Sequence, residues 1–215
     1  MRIALIASPY PLSEAPAPPL GLCYMAAAFL RAGAEVRIFD FMVNAYSPEK
    51  LSARMAEFAP HMVGTNSVTM NFPTAASILC DAKRIDPDVV TVMGGPHATW
   101  RARRTLEEYP GIDLVARGEG EGIAGDLIAH ALDPESRHLV AGLAFREKHG
   151  VRLTPRRPFL RDLDSLPLPA RHLLPLSKYL ALGFPVSIIT SRGCPNQCIF
   201  CLGRRMVGHK VRFRN

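Results

Sequence analysis

The chain has 215 residues, room for one domain and part of a second at roughly 100–200 residues per domain. Hydrophobic residues make up 48% and charged residues 21%, which excludes general disorder, and no apolar run approaches the roughly 18–20 residues needed to span a bilayer. The formal charge of +7 is unevenly spread: residues 1–140 carry 12 Lys/Arg against 16 Asp/Glu, whereas residues 141–215 carry 14 against 3.

Arg2 to Ala7 reads as an apolar strand that leads into a loop rich in proline (Pro9, Pro11, Pro16, Pro18, Pro19), without a full signal peptide. Gly21 to Ala32 is helical and ends at Gly33. Glu35 to Phe39 is a strand, and Pro48 to Phe58 an amphipathic helix with Leu51, Met55 and Phe58 on one face. His61 to Thr65 is a strand and Thr74 to Ile85 a helix. Asp88 to Met93 is a strand, Arg101 to Tyr109 a helix, Ile112 to Ala116 a strand and Glu121 to Leu132 a helix. Five strand–helix repeats with strands apolar throughout predict a doubly wound, five-stranded parallel sheet, with a flavodoxin-like strand order.

Ligands of such sheets bind beyond the carboxyl ends of the strands, where the winding reverses. The loops there are small-residue loops: Pro18-Pro19-Leu20-Gly21, Thr65-Asn66-Ser67-Val68-Thr69, Gly94-Gly95-Pro96-His97-Ala98-Thr99 and Gly118-Glu119-Gly120-Glu121-Gly122. One such loop is simply a tight turn. Several on one edge favour a bulky, flat ligand approached closely by backbone. The first loop lacks Gly-x-Gly-x-x-Gly, which disfavours an ordinary dinucleotide site. Glu119 and Glu121, at a helix start, are expected to complement the helix dipole and cap N–H groups rather than act as an acid–base pair.

Cys23 and Cys80 sit in helical apolar patterns and read as small buried hydrophobes. Cys194, Cys198 and Cys201 are different. They follow a predicted strand, Val186 to Ser191, with the spacing Cys-x₃-Cys-x₂-Cys, which suits soft thiolates wrapped around an iron–sulfur cube. Three thiolates on four irons leave one iron open, which makes a catalytic site. Structural zinc is the alternative; it wants a fourth ligand, and His209 lies eight residues beyond Cys201.

Cys194-x₃-Cys198-x-Phe200-Cys201 resembles the signature of the radical S-adenosylmethionine (SAM) family. The upstream stretches Pro18–Leu22, Gly94–Thr99 and Gly118–Glu121 resemble the cobalamin-binding domain of its B12-dependent branch. The resemblance implies a [4Fe–4S] cluster on Cys194, Cys198 and Cys201, SAM with its adenine against Phe200, and cobalamin. Cobalamin contacts are expected at Pro19, Leu20, Gly21, Thr65, Ser67, Thr69, Gly94, Gly95, Pro96, His97, Gly118, Glu119, Gly120 and Glu121. The Asp-x-His-x-x-Gly motif of the methionine synthase type is missing, since Asp40-Phe41-Met42-Val43-Asn44 stands after the second strand. Histidine ligation of cobalt from that motif is therefore not expected. His97 is also an ordinary loop hydrogen-bonder.

The implied chemistry is reductive SAM cleavage to a 5′-deoxyadenosyl radical, with methyl transfer through cobalamin or, as in some relatives, ring formation or rearrangement. The expected partners are a small-molecule substrate and an electron donor of flavodoxin or ferredoxin type. The expected compartment is the cytoplasm. A different class of function is a stand-alone corrinoid-binding module whose cysteines hold zinc or a structural cluster without catalysis.

Residues 1–137 read as the sheet domain and 138–184 as a hairpin followed by a proline- and leucine-rich strap. Residues 185–215 read as the start of a (β/α) barrel, incomplete because about 250 residues are usual for eight units. Arg156, Arg157, Arg161 and Arg171 read as solvated or interface charges. Aromatic residues are too sparse among them for a nucleic-acid stacking platform.

Overall fold

The computed structural model describes residues 1–10, 17–184 and 186–215; Pro11 and Pro16 of the first loop lie outside the described residues. The alternating elements form as expected. They are β1 (Arg2–Ala7), α1 (Leu20–Arg31), β2 (Glu35–Asp40), α2 (Pro48–Phe58), β3 (Met62–Asn66), α3 (Phe72–Ile85), β4 (Val90–Gly94), α4 (Gly95–Glu108), β5 (Leu114–Ala116) and α5 (Ala124–His130). No described helix is long and apolar enough to cross a membrane.

The strand order runs β2-β1-β3-β4-β5, with every neighbour parallel, so the winding reverses between β1 and β3. Alternation along β1 sorts the core into two layers. Ile3 and Leu5 pack with Leu22, Ala26 and Phe29 of α1 and Leu127 of α5. Ala4 and Ile6 face Leu51, Met55 and Phe58 of α2, Ile78 and Leu79 of α3, and Leu106 of α4. The alanine run 26–28 is buried, so α1 lies close to the sheet. Local chemistry sets the helix ends: Ser47 accepts the Lys50 N–H at 3.3 Å with Pro48 at the first turn of α2. Gly33 closes α1 through bonds from its own N–H to Leu30 and from the Ala34 N–H to Phe29.

Three expectations are corrected. The sheet has seven strands, because the hairpin β6 (Leu143–Glu147) and β7 (Gly150–Leu153) pairs antiparallel against β5. Arg146 fastens it by donating to the carbonyls of Leu106 at 2.9 Å and Tyr109 at 2.7 Å. Secondly, α4 begins directly at Gly95, with Pro96 in its first turn and a kink at Arg101, so the Gly94–Thr99 stretch is largely helix. Thirdly, residues 186–190 are not a strand; only β8 (Ser191–Arg192) pairs, antiparallel to β9 (Arg212–Phe213). Val186 and Ile188 have no covering layer and are exposed.

The strap returns across the sheet domain at five buried points, Leu163, Leu166, Ala170, Leu174 and Tyr179, the last on the short helix α6 (Leu176–Ala181). The Ala170 N–H donates to Cys23 at 3.0 Å, and the buried Tyr179 hydroxyl donates to Asp40 at 2.7 Å. Asp40 also accepts the Met42 N–H at 2.9 Å, so its carboxylate is held from both sides.

Tyr179→Phe removes one hydrogen bond to a buried carboxylate and is expected to cost about 1.5–3 kcal/mol in urea unfolding. Burial, then the bond to and charge of Asp40, raise the Tyr179 pKa above its ordinary value of 10.0. The unfolded chain therefore loses this proton first, so stability falls as pH climbs past about 10, and Tyr179→Phe reduces that slope. Unchanged unfolding at neutral pH and an unchanged slope would show that the strap is not anchored here.

Candidate functional site

Where the winding reverses, the carboxyl edge of the sheet opens into two adjoining spaces. The larger is a cavity of about 230 Å³ between α1, α5 and one face of β1, β3, β4 and β5. It exists because small residues stand where the strand pattern would otherwise place bulk. A Cβ at Gly64 would meet the Leu5 side chain at 3.3 Å, and one at Gly120 would meet the Met25 sulfur at 2.7 Å. Gly95 has φ +89°, and a Cβ there would lie 2.5 Å from the Ser67 carbonyl, so only glycine lets α4 start against the β3 loop.

The smaller crevice, about 180 Å³, lies at the ends of β1 and β3. On its wall Asn71 donates to Ser8 at 3.1 Å and accepts the Val68 N–H at 3.0 Å. The buried Ser67 hydroxyl beside them has no partner among the described residues. A buried hydroxyl without a partner is costly, and a ligand oxygen or nitrogen in this crevice would satisfy it.

The expected contact residues divide. Gly21, Thr65, Gly94, Gly95, Pro96, Gly118, Glu119, Gly120 and Glu121 line the cavity; Pro19 and Ser67 line the crevice. Leu20 lines neither. The Thr65 hydroxyl is already used, donating to Ile6 at 2.7 Å as a tie between β3 and β1. His97 faces away: its ring stacks on Phe72 at 4.0 Å and its Nδ1 lies 3.2 Å from the exposed Thr69 hydroxyl. Desolvation, then the charges of Arg101 and Arg104, lower its pKa. The loop reading overlooked Met25, Phe29 and Gly64. The signal for Met25 and Phe29 was present in their helical spacing with Gly21, and the three face the cavity together.

The cysteine segment closes into a small ribbon. Gly193 has φ +129°, a Cβ there would overlap the Lys210 carbonyl, and the Cys194 N–H donates to Gly208 at 3.0 Å. Cys194 is half-buried, while Cys198 and Cys201 are exposed. The Gly203 N–H points at the Cys201 sulfur at 3.3 Å, as a thiolate-wrapping loop requires. Among the described residues no three Cys, His, Asp or Glu side chains converge on a metal-sized point, and Phe200 is 88% exposed. By contrast, burial pushes the Cys23 thiol up to about 11 and also raises Cys80. Cys23 is a core residue as expected, whereas Cys80 is half-buried; thiols raised in this way are poor nucleophiles.

Glu119 and Glu121 do not cap a helix; neither side chain makes a capping bond. Glu119 takes both arms of Arg212, at 2.8 and 3.0 Å, and the Leu160 N–H at 2.7 Å. Glu121 takes both arms of Arg192, which also lies 3.6 Å from Glu119. The carboxylates are 6% and 8% exposed. Burial opposes the charge on Arg192, but Glu121 and Glu119 outweigh it and raise its pKa. These pairs dock β8 and β9 on the cavity mouth. Arg192 and Met206, from the short helix α7 (Gly203–Val207), complete the lining. Sequence spacings of 71 and 93 residues hid the pairing.

The domain profile described as "B12 binding domain" matches residues 13–128. The fold matches the cobalamin-dependent S-adenosylmethionine radical enzyme OxsB with a TM-score of 0.83 at 19% identity, over all of this chain and 30% of that one. The chain belongs to the B12-binding radical SAM family. Within that family it is 36% identical over 200 residues to an uncharacterized methyltransferase of Pyrococcus horikoshii, covering 90% of this chain and 43% of that protein. It is also 36% identical over 191 residues to the anaerobic magnesium-protoporphyrin IX monomethyl ester cyclase of Cereibacter sphaeroides, covering 86% and 31%. The chain thus spans less than half the length of these family members.

Glu119→Ala leaves Arg212 buried without its counter-charge, a loss of about 3–5 kcal/mol. It is expected to speed protease cleavage within residues 193–211 while the parallel sheet keeps its amide protection. Cleavage at the unaltered rate would contradict the docking role.

Proposed function

We propose that this chain binds cobalamin at the carboxyl edge of its sheet and carries the cluster-binding segment of a radical SAM enzyme that transfers a methyl group or forms or rearranges a ring. Residues 1–137 serve as the corrinoid unit, 138–184 as hairpin and linker, and 185–215 as the cluster unit. The observation that carries the reading is the glycine-walled cavity at the switch point, with a Ser67 hydroxyl that has no partner among the described residues at its border and the cysteine segment docked at its mouth.

The residues present fit both groups. Gly64, Gly94, Gly118 and Gly120 supply the space a bulky ligand needs, and Cys194, Cys198 and Cys201 supply a soft donor set that would hold a [4Fe–4S] cluster. When bound, such a cluster and cobalamin supply reductive SAM cleavage and methyl transport respectively. The chain's own part is positional. The Gly118–Gly122 loop presents backbone to the cavity on one side and two carboxylates to the ribbon on the other. Met25, Phe29 and Met206 give the cavity apolar walls that exclude water. The exposed Phe200, next to Cys201, is available to cover an adenine. A flavodoxin- or ferredoxin-type donor in the cytoplasm would supply the electron, and the substrate is a small molecule.

Two measurements test the reading. Hydroxocobalamin is expected to stay with the protein through gel filtration. Ser67→Ala breaks no hydrogen bond among the described residues and should weaken cobalamin binding by about tenfold, while Gly64→Val fills the cavity and abolishes it. Anaerobic reconstitution should give four irons per chain, falling sharply in Cys198→Ala. One zinc and no iron would overturn the cluster assignment, and no retained corrinoid would overturn the cavity assignment.

A further inference from the structure

On the other side of Gly118 from the cobalamin cavity lies a separate cleft of about 340 Å³. Its floor is Trp100 of α4 and Arg117 at the end of β5, both half-buried. Its rim is Arg156 of the strap, with Phe159, and Arg205 of α7. Thr99 closes the boundary with the neighbouring cavity by accepting the Gly118 N–H at 3.2 Å.

Two residues that line this cleft carry buried donors, Trp100 Nε1 and Arg117 Nε, without a partner among the described residues. Arg117 is held in place by its Nη2, which donates to the carbonyls of both Thr154 and Leu143. Among the described residues no acidic side chain lines the cleft. Arg157 is neutralised by Asp126 at 2.6 Å, but Arg117, Arg156 and Arg205 have no carboxylate within ion-pair distance among the described residues. Desolvation, then the charge of Arg156, lower the Arg117 pKa, as expected where like charges face one another without a counter-ion. Arg156 is held over the Trp100 ring at 5.2 Å, which fixes its guanidinium at the rim.

Buried N–H donors and guanidinia with nothing to accept from them define a site for an oxyanion. We propose that this cleft binds the phosphoryl group of a small molecule. A phosphoryl group fits better than a single carboxylate, because it offers enough oxygens to engage the Trp100 and Arg117 donors and the rim arginines at once. The site is assembled from three parts of the chain: the sheet domain, the strap and the helix after the cysteine loop. Its occupant would therefore hold those parts together, whether or not the neighbouring cavity takes cobalamin.

Trp100 is the only tryptophan in the chain, so its fluorescence reports the cleft directly. Titration of the full chain with inorganic phosphate and with pyrophosphate, at constant ionic strength against a chloride control, is expected to give a saturable change. Pyrophosphate should bind with a Kd of about 1 mM or tighter. Calorimetry of Arg156→Gln and Arg205→Gln, each checked for native circular dichroism, should show binding weakened about tenfold. No saturation by pyrophosphate up to about 10 mM, or wild-type affinity in both variants, would overturn the proposal. Repeating the titration with hydroxocobalamin separates the sources. Competition supports the site and assigns it to the phosphodiester of the corrinoid, and simultaneous binding supports it and assigns it to a second, phosphorylated ligand.

Discussion

Two buried carboxylates on one short loop hold the ribbon and the strap against the sheet edge. Glu119 and Glu121 are almost completely removed from water, and such burial is tolerable only when each charge is matched and each oxygen bonded. Arg192, Arg212 and the Leu160 N–H supply that match, from the ribbon and the strap. Removing either arginine or either carboxylate leaves an opposite charge in a site with little water to screen it. The same loop presents glycines to the cavity, and backbone geometry there is tied to ribbon position by the rigidity of a few bonds.

The cavity itself follows from strand order. With β1 central and the winding reversed beside it, the helices on either side diverge at the carboxyl edge. Glycine at 64, 94, 118 and 120 keeps the gap open. The strap then returns over α1, pinned by Ala170 to Cys23 and by Tyr179 to Asp40, and brings Leu160 and Phe159 up to the ribbon. Thus the linker is a structural member and not a loose tether.

Much of this was legible in the sequence, because apolar strands and amphipathic helices announce themselves through local periodicity. Leu51, Met55 and Phe58 were expected on one face of α2 and are buried there. The β2-β1-β3 order followed from the repeat pattern. Errors came where local signals had two meanings. Gly94-Gly95-Pro96 has the composition of a turn, yet proline in the first helical turn is equally at home, and α4 starts there. Val186 to Ser191 has strand composition, but a strand needs a neighbour, and only Ser191–Arg192 has one among the described residues. Long-range pairings were invisible: helix-start glutamates normally cap, and nothing local pointed to arginines 71 and 93 residues away. His97 attracted attention by its residue type, but its place on α4 turns it towards Phe72.

The Gly118–Gly122 loop lines the glycine-walled cavity and bonds the cysteine ribbon, so the two are coupled through it. Hydrogen–deuterium exchange with and without hydroxocobalamin tests this coupling most directly, since amide protection reports opening of each segment separately. The account predicts that bound cobalamin slows exchange in residues 118–123 and, together with them, in the ribbon around Arg192 and Arg212. Protection that rises along the sheet edge while the ribbon exchanges at its original rate would contradict it.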